Sequence, residues 1–352
     1  MLSYYRCSFF EAEKVSEDKY NSFSVQQEQI KLNHIIRKQP LQAAFVKTEE
    51  QYDCSFNLSR KFSPDKPAII IPIRDNLKLL QFTISNLKKN NIISHANIIV
   101  VDDRSREPIS NFVKKEELSY LRVDTESGFN FSMLNNIPSK LCFDLGVDTV
   151  IFWNSDLWCA KEEYFIELLN RHYINKSKLS GSKLIYPPKN YSFNNEKDTD
   201  NIRVHFPELK GGKWRNTIQF GGDYWIHTPG SYVEYTPIHH KRFSNPFNVI
   251  VNCDRGALSL TGALHVWDLK YFIELGGLNP SLPKIYQDND ICLRVVESGE
   301  DVNYFGKDIH FFHDESLAKF NLPDYNKQDD QNFSDHILFG KIWNKKLKEL
   351  IL

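Results

Sequence analysis

A chain of 352 residues, 41% of them hydrophobic, is long enough to bury a large core as one big domain or two smaller ones. Its formal net charge of −1 argues against a nucleic-acid binder that relies on a global basic field. Six scattered cysteines (Cys7, Cys54, Cys142, Cys159, Cys253, Cys292) without a CxxC point to reduced thiols in a cytosolic protein, not to disulfides or zinc ligands.

In chain order, residues 1–62 read as a polar, mixed extension in which only Ile30–Ile36 has helical spacing. Met1–Phe10 lacks a signal-peptide pattern, and no apolar run of about 20 residues is present to span a membrane. Pro64 and Pro67 close the extension. Ala68-Ile69-Ile70-Ile71 is the continuous apolar run of a buried parallel strand. Leu77–Leu87 has helical spacing through Leu80, Ile84 and Leu87. A second strand, Asn97–Val101, ends in Asp102-Asp103. A short helix is expected over Phe112–Leu118 and a third strand over Tyr120–Val123. Phe131–Leu145 is helical, with Pro138 expected to kink or divide it. A fourth strand, Thr149–Trp153, ends in Asn154-Ser155-Asp156, and Glu162–His172 is helical again. This alternation predicts a parallel α/β sheet with right-handed crossovers and ligands at the C-terminal strand edge.

Residues 187–256, rich in Asn, Gly, Pro, His and aromatics, break the rhythm and read as a loop-rich, substrate-facing insertion. Gly276-Gly277 then ends a helix, and Gln287-Asp288-Asn289-Asp290 opens the next, with both carboxylates in its first turn. Apolar Ile291, Leu293, Val295 and Val296 anchor that helix, which makes it a rigid mount for a general base. An acidic helix cap is the plainer reading of the same residues. Past Phe320 the chain is polar and ends in a basic amphipathic segment, 340–352. Its apolar residues Ile342, Trp343, Leu347, Leu350 and Ile351 suit docking on the chain's own core or contact with an anionic membrane; docking is favoured.

Three groups carry chemistry. A carboxylate at Asp102-Asp103 can accept hydrogen bonds from a nucleobase imide or ribose hydroxyl, or simply form a turn. Asn154-x-Asp156 offers a carboxylate and a second oxygen to a hard divalent cation holding a diphosphate. His310 or His313 can complete a metal site with Asp156, although lone histidines are more often structural. No GxGxxG, GxxxxGK[ST] or GxSxG occurs at a strand–helix junction, which removes the usual support for dinucleotide redox chemistry, P-loop phosphoryl transfer and serine hydrolysis.

Taken together, five segments resemble glycosyltransferase family 2, over about Pro67–Ser316. They are Pro67–Asp75; Ile98–Ser105, where the family usually has Asp-Asp-Gly-Ser; Gly128–Asn136, similar to bacterial rhamnosyltransferase-like members; Trp153–Asp156 in place of the metal-binding DxD; and Thr261–Leu264 with Gly276–Leu278 and Gln287–Arg294. The resemblance implies a GT-A nucleotide-diphospho-sugar transferase fold, α/β with a mostly parallel central sheet flanked by helices. The core would span 63–317, between the extension 1–62 and a helical tail, 318–352.

By position, Pro72, Arg74, Asp102, Asp103, Asn154 and Ser155 would bind the nucleotide sugar. Asp156 and His313 (His310 in the alternative register) would hold Mn²⁺ or Mg²⁺. Asp288 would be the catalytic base, with Gly262, Ala263 and Gln287 on the acceptor side. The implied enzyme is inverting, cytoplasmic, with peripheral membrane contact through the tail as an option. It would move sugar from a nucleoside-diphosphate donor to a glycan or lipid-linked acceptor, in surface polysaccharide synthesis. Gln287 departs from the usual Glu. Removing that charge lowers the Asp288 pKa relative to a Glu-Asp pair, and it keeps open a non-catalytic glycan-binding or scaffold role. A sugar-nucleotide pyrophosphorylase would need a glycine-rich phosphate loop that Pro72–Asn76 does not provide.

Overall fold

The computed structural model describes residues 52–125, 129–191, 193, 214–315 and 328–351. Ile30–Ile36, Cys7, Gly128 and Ser316 lie outside them.

Strands β1 (Tyr52–Asn57) and β2 (Ala68–Ile73) come first, and every residue of β2 is buried. A strand covered on both faces must be apolar throughout, which the isoleucine run satisfies. Helix α1 (Leu77–Lys89) starts at Asn76, whose side chain accepts the Leu79 N–H, and it buries Leu80, Ile84 and Leu87. Next come α2 (Ile92–His95), β3 (Asn97–Asp103), α3 (Ile109–Lys115) and β4 (Ser119–Thr125). Helix α3 begins three residues before the expected Phe112, because Pro108, with φ −78°, already sets the helical turn at its N-cap.

Helix α4 (Phe131–Asp144) runs unbroken through Pro138, so the expected division does not occur. The Ser139 hydroxyl donates to the Asn135 carbonyl in the same turn (2.7 Å). Strand β5 (Thr149–Trp153), β6 (Leu157–Cys159), α5 (Glu162–Ile174), β7 (Leu179–Ser182) and β8 (Leu184–Ile185) follow.

The described part of the insertion contains β9 (Ile218–Phe220), the hairpin β10 (Asp223–His227) and β11 (Tyr235–His239), and β12 (Asp254–Ala257). The chain continues through β13 (Leu264–Asp268), α6 (Leu269–Glu274), α7 (Gln287–Glu297), β14 (Val302–Phe305), β15 (Phe311–His313) and α8 (Gln328–Ile351).

The main sheet has the order β1-β4-β3-β2-β5-β13-β7-β14-β12. Strands β2, β3, β4, β5, β7 and β14 run one way, and β1, β12 and β13 run against them. The sheet is thus mostly parallel, as expected, with α4 packed on β2 and β3, α3 on β4 and α5 on β7. A second sheet, β6-β15-β8-β9, continues from it. The insertion is built into these sheets: β9 closes the smaller one, and β12 forms an edge of the larger.

The turn after α6 shows why two glycines stand there. Gly277 has φ +70°, and a Cβ would lie 2.7 Å from the Asn136 amide oxygen, which already accepts the Leu278 N–H. The same stretch is tied to the start of α4, since Phe131 N–H donates to the Pro283 carbonyl (2.8 Å) and Ser132 Oγ to the Leu282 carbonyl (3.0 Å).

Helix α8 docks on the domain. Phe339, Trp343 and Leu347 are buried in an apolar cluster with Val233, Tyr235, Leu282 and Leu293. The favoured docking of the tail is what the structure has for Ile342, Trp343 and Leu347. The side chains of Leu350 and Ile351 lie outside the description. Among the described residues no helix is long and apolar enough to cross a membrane.

Candidate active site

A cleft of about 560 Å³ opens where β2 and β5 end. Pro72 and Arg74 line it from the end of β2, and Asn154, Ser155 and Asp156 from the end of β5. Their loop is fixed from three directions. Asn154 N–H donates to the Ala263 carbonyl (3.1 Å), Thr83 Oγ1 donates to the Ser155 carbonyl (2.6 Å), and Asp314 N–H donates to the Asp156 carbonyl (3.0 Å). Backbone anchoring leaves the Asp156 carboxylate free to serve the cleft.

That carboxylate meets His313, at the end of β15, with Oδ1 and Nε2 3.3 Å apart. Both residues are nearly buried, yet both line the cleft. The His313 Nδ1 lies 3.1 Å from Gln219 Oε1, a partner that can only accept. Nδ1 therefore carries a proton, and in the neutral ring Nε2 turns its lone pair toward Asp156. A carboxylate and an imidazole side by side suit a divalent cation, and the nitrogen favours Mn²⁺ over Mg²⁺. Among the described residues no group of three or more metal-ligating side chains gathers, so these two would leave further coordination positions to a ligand's oxygens. His310 is not among the residues lining the cleft: it packs against Tyr164 and Phe312, and burial drives its pKa down to about 4.

Next to His313 stands Glu315. Burial alone would raise its pKa, but the charge of Arg242, to which it is hydrogen-bonded, leads the interactions that overcome this and bring it down to about 2. A permanent carboxylate therefore faces this side of the cleft.

The other wall holds the start of α7. Gln287, Asp288 and Asn289 line the cleft together with Thr261, Gly262 and Ala263. Asp288 Oδ2 accepts the Gly262 N–H (2.8 Å), and Oδ1 accepts the Asn289 N–H (2.9 Å). A Cβ at Gly262 would lie 3.3 Å from that of Asp288, so the bare backbone allows this approach. Burial raises the Asp288 pKa, opposed by these backbone donors, which suits a carboxylate that must take a proton. Gln287 is buried, and its Oε1 has no hydrogen-bond partner among the described residues. A glutamate there would place an uncompensated charge beside Asp288, which accounts for the neutral residue.

Asp290, two positions on, turns away. It is fully buried and accepts from Arg294 Nε (3.0 Å) and Trp343 Nε1 (2.9 Å). One carboxylate of the pair faces the cleft, and the other fastens α8 to α7.

Asp102 and Asp103, at the end of β3, are not among the residues lining the cleft. Asp102 accepts from Ser105 N–H (2.8 Å), Tyr120 OH (2.5 Å) and Arg122 Nη1 (3.3 Å), which leaves it closing the turn after β3. Asp103 is fully buried between Arg104 (3.1 Å) and Arg74 (3.8 Å). Burial raises its pKa and the two arginines oppose the rise. Asp103 therefore meets the cleft only through Arg74.

Sequence reasoning missed Asp223 and His239, which the β10–β11 hairpin carries into the cleft. Asp223 Oδ2 accepts from Ser259 Oγ (2.7 Å), whereas Oδ1 is buried without a hydrogen-bond partner, 3.9 Å from His239 Nε2. His239 Nδ1 must donate to the Gln219 carbonyl (3.1 Å), so the neutral ring presents a bare Nε2 to that oxygen. Burial pushes the Asp223 pKa up to about 7, with nearby Asp288 adding to the rise and Ser259 and Arg255 opposing it. The only sequence signal was the hairpin's aromatic-rich composition.

A stability experiment follows. Below the ordinary aspartate pKa both folded and unfolded chains hold the Asp223 proton. As pH rises to about 7 the folded chain keeps a proton the unfolded chain has lost, so a penalty builds and is complete above 7. Asp223→Asn is expected to raise Tm at pH 8, by an amount equivalent to on the order of 2–4 kcal/mol, and to change it little at pH 4. Equal Tm differences at both pH values would contradict the buried, unpartnered state of Oδ1.

No protein-family model matches the sequence, and no curated protein matches it either. Among solved structures, the chain is similar to the crystal structure of GalNAc-T7 with UDP, GalNAc and Mn²⁺, with a TM-score of 0.50 and 12% sequence identity. The match covers 70% of this chain and 43% of that one, so the chain spans less than half of that protein's length. The shared architecture is the GT-A fold.

Proposed function

We propose that the chain is a metal-dependent glycosyltransferase that moves a sugar from a nucleoside-diphosphate donor to a hydroxyl of a glycan acceptor. One observation carries the reading: the Asp156–His313 pair and Asp288 line the same cleft, at the edge of the parallel strands where open α/β sheets bind ligands. The fold shared with a structure that contains UDP, GalNAc and Mn²⁺ supports it.

Asp156 and His313 would hold the cation, which when bound offsets the charge of the departing diphosphate. Arg74, beside buried Asp103, would meet the nucleotide end of the donor. Gly262 N–H holds Asp288 in place. Its carboxylate would take the proton of the acceptor hydroxyl as that oxygen attacks the anomeric carbon from the face opposite the nucleotide, with inversion. Proton uptake there requires an ionised Asp288, so transfer falls as pH drops through its raised pKa. We place the reaction in the assembly of a surface polysaccharide or a similar glycan on the cytoplasmic side, with a glycan or lipid-linked acceptor.

The test is a thermal-shift screen of sugar nucleotides with Mn²⁺ and with Mg²⁺. A nucleotide present at about 100 times its Kd stabilises the native state by about 2.7 kcal/mol. At least one is expected to raise Tm, more with Mn²⁺ than with Mg²⁺. If none does so in the presence of either cation, the reading fails.

A further inference from the structure

The C-terminal helix does more than close the core. Asn332 and His336, on one face of α8, line the cleft together with Tyr286, the residue that immediately precedes α7. Tyr286 has φ +63° and is gripped by α8: its ring stacks on Phe339 (4.4 Å between centroids, 15° between planes) and stands edge-on to His336 (4.9 Å, 89°). The backbone before it is held by the same helix. Buried Asp335 accepts the N–H groups of Lys284 and Ile285, both at 3.0 Å, through one carboxylate oxygen, while Gln331 Nε2 occupies the other (2.8 Å). Further along, Trp343 binds Asp290 and Lys346 pairs with Glu297, so α8 is fastened along the whole of α7. Asn344 reaches the other way, accepting the Glu234 N–H (3.0 Å) and donating to the Tyr232 carbonyl (2.9 Å) of the insertion hairpin.

We propose that this face of α8 forms the acceptor subsite, taking a neutral sugar residue of the acceptor against Asn332, His336 and Tyr286. The proposal rests on the transfer reading only in calling that sugar the acceptor. The chemistry follows from the tautomer. His336 Nδ1 must donate to the Asn332 carbonyl (2.9 Å), because a carbonyl only accepts. The neutral ring therefore presents Nε2 as an acceptor for a sugar hydroxyl. The Asn332 amide offers a donor and an acceptor one turn away, on the same helical face. The Tyr286 ring adds an apolar surface, and burial keeps its hydroxyl protonated, with a pKa of about 12, as a further donor. A partly buried set of donors and acceptors suits hydroxyls and acetamides. Tyr286, two residues ahead of the base, would thus contact the sugar whose hydroxyl Asp288 deprotonates.

The test uses the full chain with Mg²⁺ and UDP, and saturation-transfer NMR with methyl glycosides of hexoses and N-acetylhexosamines offered singly. Wild-type chain is expected to bind at least one glycoside. His336→Ala and Asn332→Ala are expected to weaken it about fivefold or more each, as for a lost hydrogen bond, with His336→Gln restoring part of the affinity. UDP signals and Tm, read in the same samples, report whether each variant is folded. The proposal is overturned if folded variants bind the glycoside as wild type does, or if wild type binds UDP but no glycoside. Glycoside binding that depends on His336 in a chain that binds no UDP would keep the subsite and remove the transfer reading.

Discussion

Asp288→Asn is expected to lower sugar transfer by at least about 10²-fold, within the 10²–10⁴-fold that a general base contributes. The amide keeps the size of the side chain and can still accept the Gly262 N–H through its oxygen. Its nitrogen then faces the Asn289 N–H, which loses the acceptor it had in Oδ1; as an unpaired donor of the first helical turn at the cleft it can turn to water, so the loss is small beside the expected change in rate. Donor binding, measured by calorimetry with Mn²⁺ and the sugar nucleotide that the thermal-shift screen selects, should change little. The acid limb of the wild-type rate profile should lie above the range of an ordinary aspartate, since burial raises the Asp288 pKa. Asp290→Asn makes a different comparison. Asp290 is fully buried against Arg294 and Trp343, so its loss should appear in Tm, on the order of a few kcal/mol, before it appears in turnover. A folded Asp288→Asn chain that transfers normally would reduce the residue to a helix cap.

Asp156→Ala should abolish the response of nucleotide binding to divalent cations. Among the described residues this is the carboxylate that lies against His313 Nε2, and an imidazole alone is a poor ligand for a hard cation. Titrations of the sugar nucleotide selected by the thermal-shift screen, with and without Mn²⁺, are expected to converge in the variant and to differ in wild type. The backbone of Asp156 is held through its carbonyl, independently of the side chain, so the variant should fold. Unchanged metal dependence would move the cation elsewhere.

The first half of the fold was legible because its strands are apolar runs or, at Tyr120–Val123, alternate buried Leu121 and Val123 with partly exposed Tyr120 and Arg122. Ala68–Ile71, Asn97–Val101, Tyr120–Val123 and Thr149–Trp153 announce themselves by composition, and all are strands. The later strands do not. Strand β7 is Leu-Ser-Gly-Ser and β12 is Asp-Arg-Gly-Ala, and both owe their conformation to neighbours distant in sequence. The same limit governs the site. Asp288 stands on a helix whose start and anchoring are local, so it could be singled out. The contact of His313 with Asp156 spans more than a hundred residues; the chemistry offered either His310 or His313, and only the resemblance favoured His313. Asp223 and His239 depend on the hairpin register, and nothing local distinguishes Asp102, closing a turn, from a carboxylate that meets a ligand.

Gln219 bears on how such a protein could be altered. Its side-chain oxygen holds the His313 ring and its main-chain oxygen holds His239, and the residue itself sits on β9 inside the insertion. Exchanging the insertion for that of another enzyme would therefore not simply re-target the catalyst. A chimera that moved the hairpin but shifted β9 by one residue would turn the Gln219 side chain to the opposite face of its sheet and release the imidazole on the donor side. Transplants with boundaries placed outside Ile218–Phe220, leaving that strand with the recipient, are the ones that would keep the donor half working while the acceptor half is exchanged.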